Sequence, residues 1–272
     1  MAGHGSTPEP STPPPAATAK SAQAAGGRPR YAAAQQLGTR KAQCDATAVR
    51  TAPDGTRAYV LLDGIGSTPE VRAWTVAAAR SLARSAARRA SAVGALTALY
   101  DRYAGEWERQ DPHLSRYLPK ACAVVAVSAP GRPLEVAWCG DSRAYVVTGT
   151  GAHLLTADHN LRRVYPPRAG MPGGNRNRVT SCLGSGQTDE EVRYHYRHPA
   201  IESVTHPTGE YRLLLVSDGA YEPHEDRGGN VAEFLAGPVR QAARSLVSTA
   251  VTAALRTGEA ADNATALVAD LT

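Results

Sequence analysis

The chain reads as an α+β protein with helices packed outside antiparallel sheets. Six short segments, 58–62, 122–128, 134–138, 144–148, 211–217 and 265–271, are rich in Val, Leu, Ala and Tyr and bounded by Gly, Pro, Asp or Asn, the signature of strands. The piece "VSAPGRPLEVAWCGDSRAYVVTGTGAHLLTAD" is broken by "APGRP", "GDSR" and "GTG" at hairpin-like intervals, which implies an antiparallel meander with "GDSR" as a turn inside it. Strands come in groups separated by helices in groups, which disfavours a parallel βαβ arrangement.

The helical stretches follow from periodicity. Over 70–109, Trp74, Ala78, Leu82 and then Leu96, Leu99 and Tyr103 recur at three- and four-residue steps with arginines between, predicting one or two amphipathic helices. A second stretch covers about 230–256, with Gly237-Pro238 as its natural interruption.

Composition bounds the rest. With 272 residues, 42% hydrophobic and 20% charged, there is material for one large core. Residues 1–30 are Pro, Ala, Ser, Thr and Gly with almost no side chain large enough to bury, so ordering them has nothing to offset its entropy. They are expected to form a disordered arm, and 31–272 the folded domain. The arm lacks the pattern of a secretory signal, and no apolar run approaches bilayer-spanning length, so a soluble, cytoplasmic protein with no membrane partner is expected. Cys44, Cys122, Cys139 and Cys182 show no CxxC spacing and read as buried reduced thiols. The net charge of +5 is scattered, dense only at "RSLARSAARR" and "NRNR", and a single Phe leaves no aromatic-basic interleaving; nucleic acid is not an expected partner.

Six aspartates sit at strand ends or turns: Asp45, Asp63, Asp141, Asp158, Asp218 and Asp262. Each alone is an ordinary turn residue. Together, acids at the ends of separate strands of one sheet can converge, and converging carboxylates repel unless a cation neutralises them. An all-oxygen donor set selects Mg²⁺ or Mn²⁺ over zinc.

In order along the chain, "GTRKAQCDA", "LLDGIGS", "WCGDSRAYVV", "LTADHNL", "NRVTSCLG", "LLLVSDGAYE" and "DNATALV" resemble the motifs of the metal-dependent serine/threonine protein phosphatases, the PPM or type 2C family, in its bacterial form. The resemblance runs from about Gly38 to the C-terminus. It implies an α-β-β-α sandwich of two antiparallel sheets flanked by helices, with a binuclear Mn²⁺ or Mg²⁺ centre at one edge. It also implies direct hydrolysis of phosphoserine or phosphothreonine in proteins by a metal-activated water, reversing Ser/Thr kinase signalling. On that resemblance Asp63 bridges both ions and Gly64 offers its carbonyl. Asp218 and Asp262 complete the first metal site, and Asp45 serves the second through water. Asp141 with Asp218 holds a third, weaker ion, as in bacterial relatives. Arg40 binds the substrate phosphate, a task that suits a planar guanidinium with paired donors. The implied partners are a phosphoprotein substrate and a Ser/Thr kinase or its targets, and a monomer is expected.

Three departures bear on this. Gln43-Cys44-Asp45 stands where the family has Asn-Glu-Asp, Ile65 stands where DGHG has histidine, and the flap, 162–178, is short and rich in Arg, Gly and Pro. They carry the alternative reading, a catalytically weak or inactive phosphatase-like module that binds a phosphoprotein or regulatory partner. Retention of Asp63, Gly64, Asp218 and Asp262 favours catalysis. His159 is expected to be structural, and His195, His198, His206 and His224, which lack ligand spacing, are expected at the surface.

Overall fold

The computed structural model describes Met1 and residues 30–149, 151–258 and 260–271; the arm assigned to 1–30 lies outside them except for its two end residues. One sheet orders its strands β1 (Tyr31–Gln36), β10 (Ala264–Leu271), β9 (Tyr211–Val216), β6 (Arg143–Thr148) and β7 (Gly151–Leu154). The other orders β2 (Ala46–Thr51), β3 (Arg57–Gly64), β4 (Ala121–Ser128), β5 (Leu134–Cys139) and β8 (Glu202–His206). Every pairing is antiparallel.

The sheets stack face to face. Tyr59, Leu61, Val124, Val136, Val146, Leu213, Leu215 and Leu267 interdigitate between them. On the outer face of the second sheet, Val60, Leu62, Ala123 and Val125 pack under α1 (Pro69–Arg89) and α2 (Ala92–Ala104). On the outer face of the first, Leu214, Val216, Ala266 and Val268 pack under α7 (Val239–Arg256) and the buried side of α6 (Asp218–Glu225). Strands β3 and β9 are therefore covered on both faces, and that is why "AYVLL" and "LLLV" are continuous apolar runs instead of alternating ones.

The helices take their ends from local chemistry. Thr68 accepts the Val71 amide and Pro69 occupies the first turn of α1, which closes at Ala90 in the left-handed conformation. Ser91 then caps α2 through the Gly94 amide at 3.1 Å, so the predicted 70–109 stretch resolves into two helices and a short third, α3 (Trp107–Gln110). Residues before Gly237-Pro238 form only a 3₁₀ turn (Val231–Phe234), and α7 starts just after the proline. Short helices α4 (Leu161–Val164) and α5 (Asp189–Tyr196) complete the fold.

One expectation is corrected. "GDSR" is not a turn within a single meander: β5 and β6 belong to opposite sheets, and Gly140-Asp141-Ser142 is the corner where the chain crosses between them. Gly140 has φ +104°, and a Cβ there would overlap the Cys122 side chain, so glycine is required on both counts.

Leu82, on the sheet-facing side of α1, is fully buried, whereas Leu255 is half exposed near the end of α7. Leu82→Ala is expected to lower unfolding free energy by about 2–5 kcal/mol, and Leu255→Ala by about 0.5 kcal/mol or less, both read from urea denaturation midpoints.

Candidate metal centre

One end of the sandwich gathers acids from both sheets. Strand β3 ends on Asp63 and Gly64, β9 runs through Ser217 into Asp218 at the start of α6, Asp45 directly precedes β2, Asp262 lies just before β10, and the β5–β6 corner carries Asp141. Carboxylate oxygens of Asp63, Asp141 and Asp218 lie within 4.8 Å of one another. Asp45 stands behind them, its Oδ2 accepting from the hydroxyls of Thr265 (2.6 Å) and Ser217 (3.2 Å). Its Oδ1 is buried without a partner, as are Gln43 Oε1 and Ser142 Oγ among the described residues. Such orphaned oxygens are costly unless something outside the chain satisfies them.

The backbone holds the acids in place. The Asp218 carboxylate accepts its neighbour's Gly219 amide at 2.6 Å, and Asp262 accepts the Asn263 amide at 2.7 Å. Asn263 ties three segments together: its Oδ1 accepts the Cys44 amide (2.7 Å) and its Nδ2 donates to the Leu37 carbonyl (2.8 Å). A Cβ at Gly219 would overlap the Asn263 carbonyl, so the Asp218-Gly219 turn and the Asp262-Asn263 turn can lie against each other only with glycine there.

Electrostatically the cluster is under-neutralised. Burial, with Asp45 and Asp218 alongside, pushes the Asp63 carboxyl well above the usual range. Burial and Asp218 push Asp141 up to about 7, and burial outweighs the Thr265 hydroxyl to bring Asp45 to about 7 as well. Asp218 is raised by burial and by Asp262. Arg40 is half exposed and gives a guanidinium nitrogen to Asp262 at the rim. Buried and half-buried carboxylates, partnerless oxygens and no nitrogen or sulfur donor among the three converging groups fit a hard divalent cation.

A cleft of about 480 Å³ opens beside the acids, lined by Arg40, Arg176, Asp218, Glu222, Asp226 and Asp262. The expected site residues Asp45, Asp63, Asp141, Asp218 and Asp262 thus lie at one end, with Arg40 on the rim. The sixth aspartate does not join them: Asp158 is held by Arg143 through two hydrogen bonds of 2.9 and 2.8 Å. Cys44 is buried, its thiol 3.7 Å from the Thr68 carbonyl at the start of α1 and pushed up by burial, so it stays a protonated thiol. Ile65 is exposed. All four cysteines are free and buried. The flap's positive charge is partly spent internally: Arg176 pairs with Asp226 at 2.6 Å and Arg163 with Glu202 at 2.6 Å.

Two histidines expected at the surface are buried. His198 bonds Thr180 Oγ1 (2.8 Å), and His224 bonds the Leu246 carbonyl (3.1 Å) with its ring against Phe234. Ser217, Thr265 and Glu222 were not singled out from the sequence. Ser217 and Glu222 lie inside the quoted "LLLVSDGAYE" and Thr265 inside "DNATALV"; Glu222 is pushed to about 8 by burial and by Asp218.

This architecture is that of the bacterial PPM serine/threonine phosphatases. Residues 82–164 match the sequence model of the family described as Protein phosphatase 2C, a span that includes Asp141 but not Asp63, Asp218 or Asp262. The chain resembles the PPM Ser-Thr phosphatase MsPP from Mycobacterium smegmatis, solved with cacodylate, at 22% identity and TM-score 0.65, covering 89% of this chain and 98% of that one. The Mycobacterium tuberculosis serine/threonine phosphatase PstP/Ppp matches at 23% identity and TM-score 0.61 over the same shares. PppA, described as a key regulatory component of T6SS in Pseudomonas aeruginosa, matches at 24% identity and TM-score 0.59, over 89% of this chain and 97% of that one. No curated protein sequence matches significantly.

The raised carboxyls fix a pH dependence. A group whose pKa is higher folded than unfolded binds more protons in the folded state, so its stabilisation is full below the unfolded pKa and is lost as pH rises through the folded one. For Asp45 and Asp141 that window runs from 3.8 to about 7. In chelator-treated protein, the melting temperature should fall across it, and Asp45→Asn should flatten the fall. A steeper fall in the variant would contradict the assignment.

Proposed function

We propose that this chain is a divalent-cation-dependent phosphatase that hydrolyses phosphoserine and phosphothreonine in proteins, opposing a Ser/Thr kinase. The observation that carries this is the convergence of Asp63, Asp141 and Asp218 at the sandwich end, with the partnerless Asp45 oxygen behind them. Asp63 would bridge two ions with the Gly64 carbonyl beside it, and Asp218 and Asp262 would complete the first site. Asp45 would serve the second site through water, and Asp141 with Asp218 would hold a third ion. When bound, Mn²⁺ or Mg²⁺ supplies the positive charge that stabilises transfer of a phosphoryl group to water.

The chain's own groups do the remaining work. Arg40 is on the rim and already grips a carboxylate, so exchanging Asp262 for a substrate phosphate keeps a charge-assisted, planar contact. The same exchange frees the Asp262 carboxylate to take a cation. The cleft is lined by Arg40, Asp218 and Arg176, so a phosphopeptide lying in it would meet polar side chains. Ile65 carries no titratable proton, so that position cannot protonate the leaving group. The buried, protonated cysteines offer no thiolate nucleophile.

The deciding assay is hydrolysis of a phosphothreonine peptide with Mn²⁺, with excess chelator, and by Asp63→Ala. Turnover with Mn²⁺, loss with chelator and a drop of about a hundredfold or more in Asp63→Ala are expected, since removing a ligand should exceed the effect of removing a group that merely supports one. Metal-independent turnover would overturn the metal-dependent reading, and absent turnover would favour the binding-module alternative. Arg40→Lys is expected to raise KM about tenfold, because a point charge cannot replace the planar fork; an unchanged KM would remove Arg40 from substrate binding.

A further inference from the structure

The two roots of the flap meet at His159. Its amide donates to the Gly140 carbonyl (2.9 Å), and its carbonyl accepts the Thr180 amide (2.8 Å). The adjacent Leu161 amide donates to Arg178 (2.9 Å), so residues on either side of the flap close on each other there. The imidazole itself is fully buried, and the His198 ring stacks on it at 4.3 Å.

Both ring nitrogens are engaged. The Gly140 amide donates to Nδ1 at 3.4 Å, which leaves Nδ1 unprotonated and places the ring hydrogen on Nε2. Nε2 then donates to Glu202 Oε2 at 3.0 Å. Glu202, the first residue of β8, also receives both terminal nitrogens of Arg163 at 2.6 and 2.9 Å. Arg163 belongs to α4, inside the flap. From the opposite side, the Tyr221 hydroxyl donates to the Asp141 carbonyl (3.1 Å), and Arg143 lies over the Tyr221 ring at 3.8 Å.

We propose that His159 is a positioning residue: its Nδ1 fixes the Gly140-Asp141 corner, and its Nε2 ties that corner through Glu202 to Arg163 of the flap. The Asp141 carboxylate is then aimed by the same ring that anchors the flap root, so flap position and the geometry of Asp141 are coupled. The consequence for cation binding rests on the role proposed above for Asp141; the hydrogen-bond role of the ring does not.

The two nitrogens can be tested separately. Asparagine places its side-chain oxygen near Nδ1 and can still accept the Gly140 amide, whereas glutamine places its amide nitrogen near Nε2 and can donate to Glu202 but leaves Gly140 without an acceptor. Deuterium exchange of the 138–143 segment in metal-free full-length protein is expected to speed up about fivefold or more in His159→Gln, the loss of one hydrogen bond, and to stay within about twofold of wild type in His159→Asn. Calorimetric Mn²⁺ titration should show the weakest site loosened about tenfold or more in His159→Gln and restored in His159→Asn. Glu202 is partly exposed on an edge strand, so Glu202→Ala should fold; like His159→Asn it loses the Nε2 link, and both are expected to leave exchange of 138–143 within about twofold while speeding exchange of the flap, 162–178, about threefold. A ring that only fills space would make the two His159 variants equal, and that outcome, or unchanged flap exchange in both His159→Asn and Glu202→Ala, overturns the proposal. If wild type binds no Mn²⁺, the cation reading fails while the exchange contrast still decides the role of the ring.

Discussion

Mutual repulsion among buried carboxylates is the constraint on which this structure turns. Asp45, Asp63, Asp141 and Asp218 are raised by burial and by neighbouring carboxylates, Asp218 acting on the other three and Asp262 on Asp218, and left alone such groups would move apart or reach for water. They are kept together because each is fixed through its backbone to a strand or corner that cannot move independently. Asp63 continues a strand covered on both faces, Asp218 follows another, and the two strands press on each other through Leu61, Leu213 and Leu215. The energy that confines the charges is thus spread through the hydrophobic layer between the sheets.

Polar connections then set the fine geometry. Asn263 links the loop before β2, the segment at Leu37 and the start of β10, while Thr265 and Ser217 orient one oxygen of Asp45 and leave the other free. At the β5–β6 corner, Tyr221 bonds from one side and His159 from the other. Arg143 anchors this region by holding Asp158 and lying over Tyr221, which takes that aspartate out of the acidic cluster altogether.

What was legible in the sequence divides along a physical line. The six strands read from apolar runs, β3, β4, β5, β6, β9 and β10, are the six interior strands of the two sheets. The four that were not read, β1, β2, β7 and β8, are the four edges. An edge strand pairs on one side only and carries polar residues, as "YAAAQQ" and "ESVTH" do, so no apolar run announces it. The buried histidines escaped for a related reason: His198 and His224 are satisfied by a hydroxyl and a carbonyl from segments remote in sequence, and no local pattern encodes such partners.

By itself the sequence determined the class of fold, the interior strands, the main helical stretches and the set of acids, because doubly buried strands, helical periodicity and turn dipeptides are local properties of the chain. Only the tertiary structure decided which acids share a site, that "GDSR" is a corner between sheets, that Asp158 belongs to Arg143, and that His159 joins Asp141 to the flap. Those outcomes depend on which distant segments meet, and that is set by the stacking of the two sheets, with no trace in residue spacing along any one strand.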